Sequence, residues 1–301
     1  MAQLIKLENY ISRYEQDPFH YPSQYIRLKQ EQWQQLRQAF ENPKVPEQIE
    51  EVKEPTSFFN QWRKRKKETD ETDIEDEPLH ALPQTEDQLK VYYLNQLYQF
   101  QLKWASSTIT QMSFIDRVYE DDLVLKYLLQ RFPDTYLVMY HPIFRLKKAE
   151  VEADIIVVTP FDIYIIKLVE FSSETKIIAG DDRQWQKEER SVRSNFISPL
   201  LSLKRTDKIV KSILKYKEVD MPVTKMVLSR SNAIDYHLEP FQTVYIDKEQ
   251  HEAWLLKQRQ LKTTLKHKQL KAIGALLSFS DTVSFNRPEW QREETDQFNW
   301  E

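Results

Sequence analysis

Two glycines in 301 residues limit this chain more than any motif it contains. Average usage is roughly 7%. Phosphate-cradling loops, dinucleotide-binding turns and nucleophile elbows each need several glycines at fixed spacing, because the backbone must turn sharply and approach its ligand closely. With only Gly180 and Gly274, those sites are excluded. The absence of cysteine also removes disulfides, thiolate nucleophiles and cysteine-ligated zinc. His20, His80, His141, His237, His251 and His267 form no pair at ligand spacing, so no histidine metal site is expected. A net charge of −4 gives no global field for nucleic acid, so any such binding must be local. No apolar run reaches the roughly 20 residues of a membrane span. The start Met-Ala-Gln-Leu-Ile-Lys lacks a signal-peptide pattern, and the expectation is a cytoplasmic protein without a membrane partner.

Within these limits, the most informative stretch runs from Glu152 to Phe171. Two β-branched runs, Ile155 to Val158 and Ile163 to Ile166, flank Thr-Pro-Phe-Asp and predict a buried hairpin. Asp154 enters the first strand and Lys167 lies in the second. Charges in a buried sheet are expensive unless paired or used, so these two are the leading candidates for chemistry.

The flanking sequence divides into three regions. Residues 1–110 read as helical: Leu4, Leu7, Ile11 and Tyr14 follow a helical spacing, Trp33, Leu36 and Phe40 mark a helix over about 28–40, and Pro43 and Pro46 close it. The aromatic residues Tyr10, Tyr14, Phe19, Tyr21, Tyr25 and Trp33 suit either a packed core or a stacking platform, and helical spacing favours the core. Residues 63–84 hold a charged loop in which Arg63 to Lys67 precede an acidic run from Glu68 to Glu77; so polar a stretch reads as a solvated linker. Thr85-Glu86-Asp87-Gln88 predicts a capping box opening a helix to about Ala105.

Residues 111–258 read as an α/β (α+β) domain with a mixed sheet flanked by helices. The pattern predicts a helix over 116–130 with Val118, Leu125, Leu128 and Leu129 in the core, then a strand over 136–140. A hairpin around Gly180 and Trp185 follows the first one, then a helix from Pro199 to about Tyr216, strands at 222–228 and 243–246, and a helix from His251. Residues 259–301 read as a C-terminal helical extension and tail.

This order of elements resembles the nuclease-related domain, NERD, a branch of the PD-(D/E)XK nuclease superfamily with a restriction-endonuclease-like sheet. The resemblance covers about 116–258 and rests on Glu-Ala-Asp before a hydrophobic strand and Val-Thr-Pro, on Ile163 to Ile166, on Gly180 and Trp185, on Pro199-Leu200, and on Met221-Pro222-Val223. It implies a metal-dependent phosphodiester site: an Asp at position 154, a Glu-X-Lys on the next strand and an acidic residue on the preceding helix, Asp121 or Glu120. Carboxylates of such a set hold a divalent cation, and the lysine orients the nucleophile or stabilises charge. Here Lys167 stands where that Glu belongs, Val169 stands where that Lys belongs, and Ser198 replaces the asparagine usual before the proline. Side chains alternate along a strand, so residues 167 and 169 share a face and Glu170 points to the other.

The expectation is therefore a degenerate nuclease-like domain, without a cofactor, in which the Lys167 ammonium pairs with Asp154. It would bind DNA or RNA through a basic helix face formed by Lys204, Arg205, Lys208, Lys211 and Lys215, or a protein through the N-terminal helices. A solvated basic face opposite the Leu and Ile stripe explains those side chains equally, and the same two readings apply to Lys262, Lys266, Lys268 and Lys271. The alternative is an active Mg- or Mn-dependent nuclease with relocated residues, in which Glu152, Asp154, Lys167 and Asp121 rebuild the site and Asp154 is a metal ligand.

Overall fold

The β-branched runs form the middle of a mixed sheet. A computed structural model describes residues 1–41, 83–146 and 149–287. Its first half contains β1 (Gln3–Leu7), α1 (Tyr21–Glu41), α2 (Glu86–Trp104), β2 (Gln111–Met112), α3 (Leu123–Arg131), β3 (Leu137–Tyr140), β4 (Ile143–Leu146) and β5 (Ala149–Glu152). The remainder is β6 (Ile155–Val158), β7 (Ile163–Leu168), β8 (Lys176–Ile178), β9 (Gln184–Glu189), β10 (Val192–Ile197), α4 (Pro199–Tyr216), β11 (Val223–Leu228), β12 (Ile234–Asp235), β13 (Thr243–Ile246), α5 (Lys248–Gln260), α6 (His267–Leu277) and β14 (Phe285–Asn286). The prolines at 43 and 46, the basic pentad Arg63 to Lys67 and the acidic run Glu68 to Glu77 lie outside the described residues.

The chain divides into two compact units, Lys29–Asn95 and the remainder. In the smaller unit, Thr85 and Gln88 form the expected capping box: the Gln88 N–H donates to the Thr85 hydroxyl at 3.2 Å and the Thr85 N–H to the Gln88 side chain at 3.3 Å. Trp33 and Tyr93 bring their ring centroids to 5.2 Å.

In the larger unit, six strands run in the order β1-β3-β6-β7-β11-β13. The β3-β6 and β6-β7 pairs are antiparallel, whereas β1-β3, β7-β11 and β11-β13 are parallel. Alternation along the central strands gives the sheet two apolar faces. Ile163 and Ile165 pack with Leu203 and Val210 of α4 and with Ile273 and Leu276 of α6. Ile155, Val157 and Ile166 pack with Leu125 and Leu129 of α3 and with Leu255 of α5. A second sheet, β10-β9-β8-β12, carries the buried Trp185. Gly180 is required there, because a Cβ would meet the Gln184 carbonyl oxygen at 2.2 Å. The left-handed positions fall on other residues: Arg190 and Ser191, at φ 48° and 67°, turn β9 into β10 without glycine.

Three expectations are corrected. The stretch from Leu4 to Tyr14 is a strand and a 3-10 turn rather than a helix, so residues 1–110 are helical in α1 and α2 but begin inside the main sheet. Every residue of β1 is buried, and its polar side chains are satisfied by distant partners. Gln3 donates to the carbonyls of Pro22 and Asp134. The Lys6 ammonium meets Glu15 at 2.5 Å and the Thr282 hydroxyl at 2.8 Å. Gln101 closes the open edge by accepting from the Leu4 N–H and donating to the Ala2 carbonyl, as a neighbouring strand would.

The helix over 116–130 breaks at Asp122, whose carboxylate caps α3 by accepting from the Val124 and Leu125 N–H groups. Val118 falls in the preceding turn and is exposed, whereas Leu125, Leu128 and Leu129 are core. Finally, α6 is a core helix and not an appended extension. Leu276 and Ile273 are fully buried, and Gln269 donates to the carbonyls of Thr135 and Val158. Among the early aromatics, Tyr14 and Tyr25 are fully buried against Trp104, which is the core role that their spacing favoured.

Candidate functional site

The antiparallel register of β6 and β7 sets Ile155 against Ile166, and one step further it sets Asp154 against Lys167. The Lys167 ammonium lies 3.1 Å from Asp154 Oδ1. Asp154 is almost wholly enclosed, at 3% side-chain exposure, while Lys167 retains 38%. Thr206 of α4 completes the arrangement: its hydroxyl donates to Asp154 Oδ2 at 3.1 Å and accepts from the Asp154 N–H at 3.1 Å. Both carboxylate oxygens are therefore engaged, which satisfies the requirement that a buried charge be paired and hydrogen-bonded.

Beside the pair opens a groove of about 410 Å³, lined by Lys167, Val169, Phe196, Ile197, Ser202 and Arg205 among others. Its mouth is set by the start of α4, where the Ser198 side chain accepts from the Leu200 N–H and Pro199 occupies the first turn, as the sequence predicts. Arg205 donates to the Glu152 carbonyl at 3.1 Å, a neutral partner, and makes no ion pair among the described residues. Among the described residues, no carboxylate lines the groove.

The remaining predicted residues go elsewhere. Glu152 ends β5 and turns its carboxylate toward His141, 3.5 Å away. Asp121 is exposed and pairs with Lys126 at 2.9 Å. On α4, Lys204 pairs with Asp182, and Lys211 with Asp207 at 2.9 Å. Lys208 and Lys215 are exposed and carry no ion pair among the described residues. Lys225 of β11 adds a cation the sequence reading passed over: it is 7% exposed, donates to the Phe241 carbonyl at 3.0 Å, and burial pushes its ammonium below the ordinary value.

The reverse face of the sheet holds a second cluster that sequence reasoning missed. Glu170 points away from Lys167, as alternation requires, and receives both arms of Arg230 at 2.6 and 2.7 Å together with the Arg230 N–H at 3.0 Å. Burial alone would raise the Glu170 carboxyl, but the Arg230 hydrogen bonds and charge outweigh it and hold the group below its ordinary range. The guanidinium lies 4.7 Å from the Tyr127 ring centroid, and the Tyr127 hydroxyl meets His251 Nε2 at 2.6 Å. Burial pushes the His251 imidazole down, which favours its neutral form. The parallel register of β7 and β11, Leu168 against Leu228, is the signal that places 170 beside 230; that register was not readable from the sequence.

Among the described residues, no three His, Asp or Glu side chains converge as metal ligands. A single carboxylate with an ammonium and a hydroxyl against it does not fit a divalent cation, which needs several oxygen donors and repels the lysine. Residues 118–229 match the nuclease-related domain family, NERD. An RNA 2',3'-cyclic phosphodiesterase from Geobacillus stearothermophilus is 34% identical over 113 residues, which are 34% of this chain and 36% of that protein. The chain thus spans about a third of the length of that curated relative. No solved structure matches the chain. The matched residues run from α3 to β11 and so include Asp154, Lys167, Thr206, Arg205 and Glu170. A domain of this family is consistent with nucleic-acid interaction. No helix among the described residues is long and apolar enough to cross a membrane.

Proposed function

We propose that the nuclease-related domain of this chain binds nucleic acid without cleaving it. The observation that carries the reading is the occupation of Asp154: Lys167 and Thr206 take the two oxygens that a metal ion would need. The cation that replaces the metal is part of the fold, and removing it would leave a buried carboxylate unpaired. What remains next to it is a groove with Lys167 and Arg205 and no acidic lining, suited to a phosphodiester backbone. On α4, Lys208, exposed and without an ion pair among the described residues, extends that positive surface one turn beyond Arg205.

The test combines binding with cleavage. Anisotropy of labelled DNA and RNA oligonucleotides is expected to show binding that weakens with salt and with Arg205→Ala, while plasmid and single-stranded substrates stay intact with Mg²⁺ or Mn²⁺. Calorimetry is expected to give no tight Mn²⁺ binding for the native chain and a gain of binding for Lys167→Glu, which sets a second carboxylate against Asp154. The competing reading is residual metal-dependent cleavage with relocated residues, in which Lys167, exposed to the groove, would act beside Asp154. Cleavage abolished by Asp154→Ala would establish that reading and overturn the first.

A further inference from the structure

The two most exposed large hydrophobic side chains in the described chain, Phe241 at 85% and Leu238 at 83%, belong to the same loop before β13. That loop is firmly held. Its Phe241 carbonyl accepts from the buried Lys225 ammonium at 3.0 Å, and the Gln242 carbonyl accepts from the Lys225 N–H at 3.0 Å. The Thr243 N–H closes the turn onto the Pro240 carbonyl at 3.0 Å, and Tyr245 N–H binds Glu239 at 2.9 Å. Gln242 takes a left-handed conformation, φ 52°, where a glycine would be less strained. Its side chain accepts from Lys211 of α4 at 2.8 Å. An exposed aromatic ring is thus carried on a turn whose backbone and neighbour are both bonded to lysines.

The surroundings of that ring carry phosphate-binding chemistry. Lys204, Lys208, Lys211 and Lys215 recur every three or four residues and form one stripe of α4, and Lys208 also neighbours the stripe of Leu201 and Arg205 that edges the groove. Asp182 and Asp207 offset Lys204 and Lys211, which leaves Lys208 and Lys215 without an ion pair among the described residues, Lys215 sharing a surface groove with Glu218 and Asp220. A rise of about 1.5 Å per residue separates Arg205 from Lys211 by roughly 9 Å along the axis, between one and two nucleotides of an extended strand.

We infer that Phe241 is a stacking platform for a base of single-stranded nucleic acid, whose backbone runs from the Lys167–Arg205 groove across Lys208 toward Lys211. This rests on the nucleic-acid-binding reading and adds to it the strandedness of the ligand and a contact outside the family-matched residues. A duplex hides the faces of its bases, so it can use the lysines but not the ring. Base stacking on an aromatic side chain is tolerant of sequence, so no base preference is expected.

The experiment is anisotropy with the full chain, a labelled 12-nucleotide single strand and the matching duplex, at low salt. Phe241→Ala is expected to weaken single-strand binding about tenfold and leave duplex binding unchanged. Phe241→Trp should retain single-strand affinity, and Lys208→Ala with Lys215→Ala should weaken both ligands. Phe241 is so exposed that its truncation does not threaten folding, which circular dichroism checks. If the native chain binds neither ligand, the nucleic-acid-binding reading fails and this inference with it. Binding that is indifferent to Phe241→Ala, or reduced equally for both ligands, overturns the stacking role alone. Vesicles of phosphatidylserine and phosphatidylcholine are the counter-probe: vesicle binding lost in Phe241→Ala, with oligonucleotide binding intact, would assign the turn to a lipid surface instead.

Discussion

Two ion pairs flank the end of β7 on opposite faces of the sheet, Asp154–Lys167 toward α4 and Glu170–Arg230 toward α3 and α5. The first joins an enclosed carboxylate to a half-exposed lysine through one contact, with a threonine completing the carboxylate. The second joins two partly buried groups through three hydrogen bonds, with a ring beneath the guanidinium. Arginine presents a planar fork that a carboxylate can fill, whereas lysine is a point charge that keeps donors free for other ligands. The arginine pair therefore has the character of a structural clamp between β7 and β11. The lysine pair keeps one side open to the groove, and that difference makes it the functional candidate.

The comparison predicts unequal losses on mutation. Arg230→Ala should be the most damaging change, about 3 kcal/mol by urea denaturation, because it strands Glu170 and removes the contact with Tyr127. A loss below about 1 kcal/mol would break the clamp assignment. Lys167→Met should cost about 2 kcal/mol, since Lys167 is partly solvated but leaves Asp154 enclosed and unpaired. The double variant Asp154→Asn, Lys167→Met should recover most of that loss; failure to recover would mean that the pair is needed for the fold and not only tolerated by it.

Thr206→Val keeps the volume and removes a hydroxyl that both donates and accepts, so a loss of about 1–2 kcal/mol is expected. The smallest effect is the pH dependence of the face that holds Glu170 and His251. The folded state holds His251 below its ordinary value, so the unfolded chain binds more protons and stability falls as pH drops below about 6.5. His251→Gln should flatten that slope. Glu170 is also held down, so its contribution is complete above its ordinary value of 4.5 and is lost as pH falls further through the folded value. Glu170→Gln should lower stability at neutral pH and remove the acid-limb loss that Glu170 causes; equal stability of the two proteins at neutrality would sink the assignment.

Much of the candidate site was legible because it depends on local pattern. The β-branched runs around Thr159-Pro160 specify the hairpin, its register sets residue 154 against 167, and alternation alone sends Glu170 to the other face. Capping chemistry specified Thr85 and Pro199 for the same reason: each signal acts within one helical turn. The pairing of Asp154 with Lys167 follows from those local rules. Asp121 and Glu152 were brought into the candidate set by family pattern and strand spacing, and they take separate partners because Asp122 and not Asp121 caps α3 and β5 ends before Asp154.

By itself, then, the sequence determined the hairpin, the identity of the charges in it and the scarcity of glycine that rules out whole classes of binding loop. Only the tertiary structure decided where β1 belongs. The spacing of Leu4, Leu7 and Ile11 matches a helix, but burial of Gln3 and Lys6 depends on residues 131 and 276 positions away. It likewise decided that Thr206 reaches Asp154 across 52 residues and that Arg230 reaches Glu170 across 60. Local periodicity reports which faces can be buried. Which partner satisfies a buried polar group is settled by chain topology, because the cost of leaving that group unpaired is met only after distant elements have packed.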